Sequence, residues 1–247
     1  MVKLPKQTNK KNSITGVIYD GLVVANEKSR RPRSDAKPIV RVSSVGDCVR
    51  KNWARMNDVA MDEGRGLTGR TYSIFQLGDK IEELVLDHLR GAGFTVTDEQ
   101  ASVRFETGEG LLVGHIDGVI RIGGERMLLE VKSANDNNFN RCEEMGYEVW
   151  QPKYASQIHC YMAGLGLNNC VVVVYNKNTS EIYVEQIRFD VGCYRRARAD
   201  TELILRDNKG KPPERPVEAR NQSCPLCKWC DFKGWCWGPT SSVVWED

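Results

Sequence analysis

The sequence predicts an α/β fold, a central mixed sheet flanked by helices, with a small cysteine-rich subdomain at the C-terminal end. Three observations carry this. Val171–Tyr175 is a continuous apolar run, as expected of a strand buried on both faces. Residues 111–121 (LLVGHIDGVIR) and 126–132 (RMLLEVK) bracket Gly123-Gly124 as the strands of a hairpin bracket their turn. Segments of helical period separate these strands, which places helices against one mixed sheet.

Taken in order, residues 1–41 form a basic arm, with ten Lys and Arg against Asp20, Glu27 and Asp35. Such an arm suits a phosphate backbone, since each contact releases condensed counterions. A solvated tail with no specific partner fits the charge equally well. The core spans 42–208. In Phe75–Leu89, Leu77, Ile81, Leu84, Val85 and Leu89 recur near helical spacing, and Gly91 and Gly93 end the helix. After the hairpin, Tyr154–Leu167 reads as a helix, Val171–Tyr175 as the buried strand and Ile182–Phe189 as its alternating neighbour. Tyr194–Arg206 is helical. Residues 209–247 comprise a polar, Pro-rich linker and the cysteine tail.

Composition sets the outer limits. The chain has 247 residues, 40% hydrophobic and 28% charged, with a mean hydropathy of −0.47. It holds one well-cored domain plus an appendage. No stretch approaches the ~18 apolar residues of a membrane span, and no apolar run follows the N-terminal lysines as a secretory signal requires. A net charge of +2 from 35 basic and 33 acidic residues excludes no partner. Nine cysteines without a signal point to reduced thiols or metal ligands in a cytoplasmic compartment. A phage-encoded origin is compatible with the same reading.

The chemistry concentrates in the hairpin. Alternation along Leu129-Glu130-Val131-Lys132 puts Glu130 and Lys132 on one face of the strand and Leu129 and Val131 on the other. If the chain turns at Gly123-Gly124, Asp117 lies on the adjacent strand close to Glu130. Two converging carboxylates repel unless a cation neutralises them, and hard oxygen donors suit Mg²⁺ or Mn²⁺. A lysine beside them can orient water or stabilise charge on a phosphate. An isolated E-x-K is most often a solvated ion pair, so the surrounding motifs decide.

Those motifs resemble the PD-(D/E)XK nuclease superfamily, in its RecB-like branch, across most of residues 43–236. Gly114-His115-Ile116-Asp117-Gly118 is similar to the family's G-x-x-D-G, Glu130-Val131-Lys132 to its E-x-K, and Gln157 with Tyr161 to its Q-x-x-x-Y. Gly78-Asp79-Lys80-Ile81-Glu82 resembles an early helix motif, with Glu82, or its neighbour Glu83, at the acid position. The resemblance implies a restriction-endonuclease-like core that hydrolyses phosphodiesters. Asp117, Glu130, Glu82 and the Val131 carbonyl would hold one or two Mg²⁺ or Mn²⁺ ions, and Lys132 would position the attacking water. Gln157 and Tyr161, on one helical face, would contact the DNA backbone or steady the lysine. His115 is at most a supporting group.

In the tail, Cys224, Cys227, Cys230 and Cys236 place four thiols within thirteen residues, a spacing that calls for a metal. Cys142, Cys160, Cys170 and Cys193 read instead as small core residues. The tail cysteines could form a zinc site by themselves. A subgroup of RecB-like nucleases, including CRISPR-associated adaptation nucleases and AddB-type enzymes, binds a [4Fe–4S] cluster. It uses one upstream cysteine and a C-terminal C-x₂-C-x₅-C. By that resemblance the ligands are Cys48, Cys227, Cys230 and Cys236, with Cys224 the alternative fourth ligand and Zn²⁺ the alternative metal.

Trp53, Tyr72, Phe75, Trp150, Trp229, Trp235 and Trp237 are the aromatics available to stack on bases. With no target-reading module in view, the resemblance implies an exonuclease acting on DNA ends or single strands in recombination, repair or spacer processing, with protein partners to match. A non-catalytic DNA-binding module and a zinc-binding interaction protein are the competing readings. The oligomeric state is open.

Overall fold

The structure is a computed structural model that describes residues 13–29, 38–107, 110–206 and 211–238. About half of the basic arm (1–12 and 30–37), residues 108–109, the start of the linker and the last nine residues lie outside the described residues. Within the arm, Ile14–Ser29 form a helix, α1, which the charge pattern hid. It crosses α3 (Gly69–Gly91) so closely that a side-chain carbon at Gly69 would collide with the Tyr19 backbone.

The remaining elements are β1 (Ile39–Arg41), α2 (Val49–Met56), β2 (Thr95–Thr97), β3 (Ser102–Thr107), β4 (Gly110–His115), β5 (Gly118–Ile122) and β6 (Glu125–Ala134). After them come α4 (Asp136–Met145), α5 (Tyr147–Trp150), α6 (Pro152–Leu165), β7 (Asn169–Asn176), β8 (Ile182–Arg188), α7 (Val191–Arg206), α8 (Pro225–Lys228) and α9 (Lys233–Trp237).

The main sheet is mixed, in the order β2-β5-β6-β7-β8. β5 and β6 form the predicted hairpin around Gly123-Gly124, both at positive φ. β6 then runs parallel to β7 through the helical crossover α4–α6. Alternation on β6 divides the core in two. Met127, Leu129 and Val131 pack with Ile81, Val85 and Leu86 of α3. Leu128 joins Val172, Val174, Ile158, Met162 and Ile204 on the α6–α7 side. The result is a three-layer arrangement with α3 on one face and α4–α7 on the other.

One expectation needs correcting. Residues 111–121 are not one strand, and there is not one sheet. Ile116 donates its backbone N–H to Ala101, holding β4 in a separate sheet of order β1-β4-β3. Two residues on, Gly118 pairs with Leu129 in the main sheet. The chain changes sheets at Asp117, which is why that carboxylate stands at their junction.

The tail folds back on α2. Trp53 and Trp235 stack at 5.9 Å between centroids. Asp62 takes the Gly234 N–H at 2.6 Å and donates its own backbone N–H to Asp231 at 2.8 Å.

Candidate active site and cysteine pocket

Glu130 and Lys132 leave β6 on the face away from α3, as alternation requires. The Glu130 side chain is buried, and neither carboxylate oxygen has a well-aligned hydrogen bond among the described residues. The Lys132 ammonium lies against it as an ion pair. Burial pushes the Glu130 carboxyl above its usual range, opposed by Lys132 and reinforced by the charge of Asp117. For Lys132, burial alone would lower the pKa. The negative charges of Glu130 and Asp117 outweigh it and hold the amine protonated.

Asp117 accepts the Val131 N–H at 2.7 Å, which ties the sheet junction to the middle of β6. The Val131 carbonyl accepts from Lys132 at 3.3 Å. Glu82 reaches the same site from α3, held by Gln100 at 2.6 Å. Its carboxyl is pushed up to about 7, first by burial and then by Asp117. Glu83 instead pairs with Lys80 at the surface, so Glu82 is the member of that pair that faces the site.

From α6, Gln157 and Tyr161 are both buried and border the cleft. A side-chain carbon at Gly114 would strike the Tyr161 hydroxyl, so glycine there is a condition of that placement. Tyr154 was missed by sequence reading, although it shares the helical stripe of Gln157 and Tyr161. The Lys132 ammonium lies 5.4 Å from its ring centroid. Gln100, in a loop, carries no comparable signal.

Glu82, Asp117, Lys132, Gln157 and Tyr161 line a cleft of about 1770 Å³, with Glu130 buried behind them, larger than the ~300–1,000 Å³ of small-molecule pockets. Arg41, Arg55, Lys153 and Lys177 line it with the carboxylates, and His115 stands at its edge. A buried carboxylate lacking well-aligned hydrogen bonds, with two others nearby, is a donor set that fits a hard divalent cation. Among the described residues, however, no three His, Cys, Asp or Glu side chains are gathered tightly enough to enclose an ion as they stand.

The second site is a cavity of about 20 Å³ lined by Cys48, Cys227, Cys230 and Cys236, with Trp235 and Trp237 beside them. Cys48 caps the N-terminus of α2, and the other three lie in or between α8 and α9. Cys224 does not line this cavity, although its thiol engages Cys227. Burial raises the thiols of Cys48 and Cys230 and pushes Cys227 up to about 11. Four soft donors, in a wall completed by apolar residues and by Arg50, Lys51, Arg215 and Lys233, fit a thiophilic metal. A space of this size holds about one small atom, and, among the described residues, no three of these thiols stand close enough to enclose an ion as they are, so the thiols would have to rearrange around any metal or cluster.

Cys142, Cys160 and Cys170 are fully buried core residues as expected, whereas Cys193 is only partly covered. Trp53 and Trp150, proposed for base stacking, are in fact packed inside. Trp150 lies against Tyr147 and Tyr154.

No family model matches the chain, and no curated protein matches it. The fold has solved counterparts. A structure described as SSO0001 has a TM-score of 0.56 at 13% identity, covering 93% of this chain and 98% of its own. An alkaline exonuclease (LHK-Exo) from Laribacter hongkongensis has a TM-score of 0.53 at 19% identity, over 69% of this chain and 88% of its own. The same enzyme solved in complex with dAMP gives 0.53 at 18% identity, over 68% and 87%. The chain therefore shares the α/β fold of a known exonuclease, a mixed sheet with flanking helices.

Proposed function

We propose that the protein is a metal-dependent DNA nuclease of PD-(D/E)XK type that acts as an exonuclease on DNA ends or single strands. The observation that carries this reading is Glu130, a buried carboxylate with no well-aligned hydrogen bond, set behind Asp117, Glu82 and Lys132, which line a cleft of polymer size. Removing a carboxylate from water is costly unless a charge compensates it. Lys132 compensates one of the three acids, leaving room for a cation. The fold shared with an exonuclease supports the same reading.

Asp117, Glu130, Glu82 and the Val131 carbonyl would hold Mg²⁺ or Mn²⁺, which would supply charge neutralisation at phosphorus and an acidified water. Lys132, kept protonated by its acidic neighbours, orients the attacking water and offsets charge on the phosphate oxygens. Tyr161 and Gln157 fix the lysine side of the site. Water adds at phosphorus, one ester P–O bond breaks, and the leaving oxygen takes a proton. Cys48, Cys227, Cys230 and Cys236 would hold a structural [4Fe–4S] cluster that joins α2 to the tail. A single Zn²⁺ on the same four thiols is the second reading there. Recombination, repair or spacer processing is the proposed setting.

The test is digestion of 5′- and 3′-labelled single- and double-stranded DNA with Mg²⁺, Mn²⁺ or EDTA. Metal-dependent release of end label, absent in Lys132→Ala, is the expected result. Equal cleavage by Lys132→Ala and wild type would refute the assignment.

A further inference from the structure

The walls of the cleft differ in chemistry. Helix α3 contributes Ile74, Phe75, Gly78, Asp79 and Glu82 to the lining, spaced i, i+3, i+4 and i+7 from Phe75, a single helical stripe. That wall carries two carboxylates, two apolar side chains and no cation. Lys80 of the same helix pairs with Glu83 outside the lining. The cleft's cations come from other elements: Arg41 from β1, Arg55 from α2, Lys132 from β6, Lys153 from α6 and Lys177 just after β7, with Arg55 also paired to Asp231 and Lys153 to Asp47.

We propose that a single strand lies in this cleft with its backbone toward the cationic wall and its bases toward α3, and that Phe75 is the residue on which a base stacks. The proposal rests on the reading of the cleft as a nucleic-acid site and adds the orientation of the strand within it. Asp79 and Glu82 repel phosphates along α3 wherever no cation intervenes. Bases carry no charge and have an apolar face, which Ile74 and Phe75 can cover.

Phe75 is 49% exposed and Ile74 48%, as is Leu77 of the same helix, but of these three only Ile74 and Phe75 line the cleft. The Phe75 ring is braced edge-on by Tyr72 at 6.3 Å, so its orientation is set before a base arrives. Gly78 has no heavy atom within 4 Å of where a side chain would begin, and it leaves a notch between Phe75 and Glu82. Seven residues of helix separate those two side chains by ~10 Å along the axis. That distance places the stacked base a few nucleotides from the carboxylates.

Binding separates this proposal from cleavage. The probes are a 5′-fluorescein oligothymidylate, an abasic strand of equal length and a duplex, with Ca²⁺ replacing Mg²⁺, read by fluorescence anisotropy on the full chain. Phe75→Ala should weaken oligothymidylate binding about tenfold. Phe75→Trp should restore it to within about twofold of wild type, because stacking tolerates any large ring. The abasic strand and the duplex should change less than about twofold. Equal weakening on the abasic strand, or no rescue by tryptophan, would overturn the stacking role. A wild type that binds through Phe75 yet cleaves no strand with Mg²⁺ or Mn²⁺ would instead overturn the nuclease reading and leave this one standing.

Discussion

The cleft and the cysteine pocket are both candidate metal sites, built in opposite ways. The cleft is wide and polar, and its acids come from positions far apart in the chain: Glu82 on α3 and Asp117 at the sheet junction line it, and Glu130 on β6 lies buried behind them. The pocket is small, with three of its four thiols from a single run of ten residues. The protonation cost differs too. Metal binding must displace protons from its ligands. In the cleft, Glu82 gives its proton up at about pH 7. In the pocket, burial holds the Cys227 thiol up to about 11. An ion in the cleft should therefore exchange near neutral pH. A metal held in the pocket would form with the fold and leave with it. EDTA at pH 7.5 should abolish cleavage while leaving pocket metal and melting temperature almost unchanged; simultaneous loss of both would erase the distinction.

The largest effect belongs to the cleft. Lys132→Ala, Glu130→Gln or Asp117→Asn should each lower cleavage of end-labelled DNA about a thousandfold or more, since each removes several kcal/mol of charge stabilisation. Circular dichroism should remain that of wild type for Glu130→Gln, which trades a buried charge for a neutral group of the same shape.

Next in size is a contrast inside the pocket. Cys48 lines the cavity and Cys224 does not. Cys48→Ser should therefore lose the bound iron or zinc and about 3 kcal/mol of stability, or roughly 6–12 °C in melting temperature. Cys224→Ser should retain the metal and melt within about 2 °C of wild type. Metal analysis with a thermal melt decides it, and the reverse pattern would make Cys224 the fourth ligand.

What was legible in the sequence follows from periodicity and spacing. The β5–β6 hairpin, β7, β8, α6 and α7 carry clear patterns, and Glu130 and Lys132 fell on the expected face because strand alternation is strict. The three-stranded sheet was not legible. β1 has three residues, and β4 runs into β5 without a turn signal, the break being made by the Ile116–Ala101 hydrogen bond and not by a glycine or proline. Helix α1 was hidden because its apolar residues, Ile14, Val17 and Ile18 among them, stay exposed and lie within a basic stretch. The choice between Glu82 and Glu83 needed the helix axis, which a run of two acids does not reveal. Trp150 failed as a stacking candidate because composition cannot distinguish a core aromatic from a cleft aromatic.

The smallest effect is the most diagnostic of charge stored in the cleft. Glu82 has a carboxyl raised from its ordinary 4.5 to about 7. A raised acid binds its proton more tightly in the folded state. Its contribution to stability is therefore fully present below about pH 4.5 and lost as pH rises through about 7. Above that, without metal, the folded chain carries a carboxylate that its surroundings disfavour. Glu82→Gln cannot ionise, so in EDTA at pH 8 it should be more stable than wild type. The gain should be about 1 kcal/mol, well below the full conversion of the shift because the side chain is half-exposed. At pH 4 the two proteins should melt together. Adding Mg²⁺ at pH 8 should raise the wild-type melting temperature more than that of Glu82→Gln, because only the carboxylate gains a partner. A variant that is less stable than wild type at pH 8 in EDTA would show that the hydrogen bond from Gln100, not the buried charge, dominates at this position.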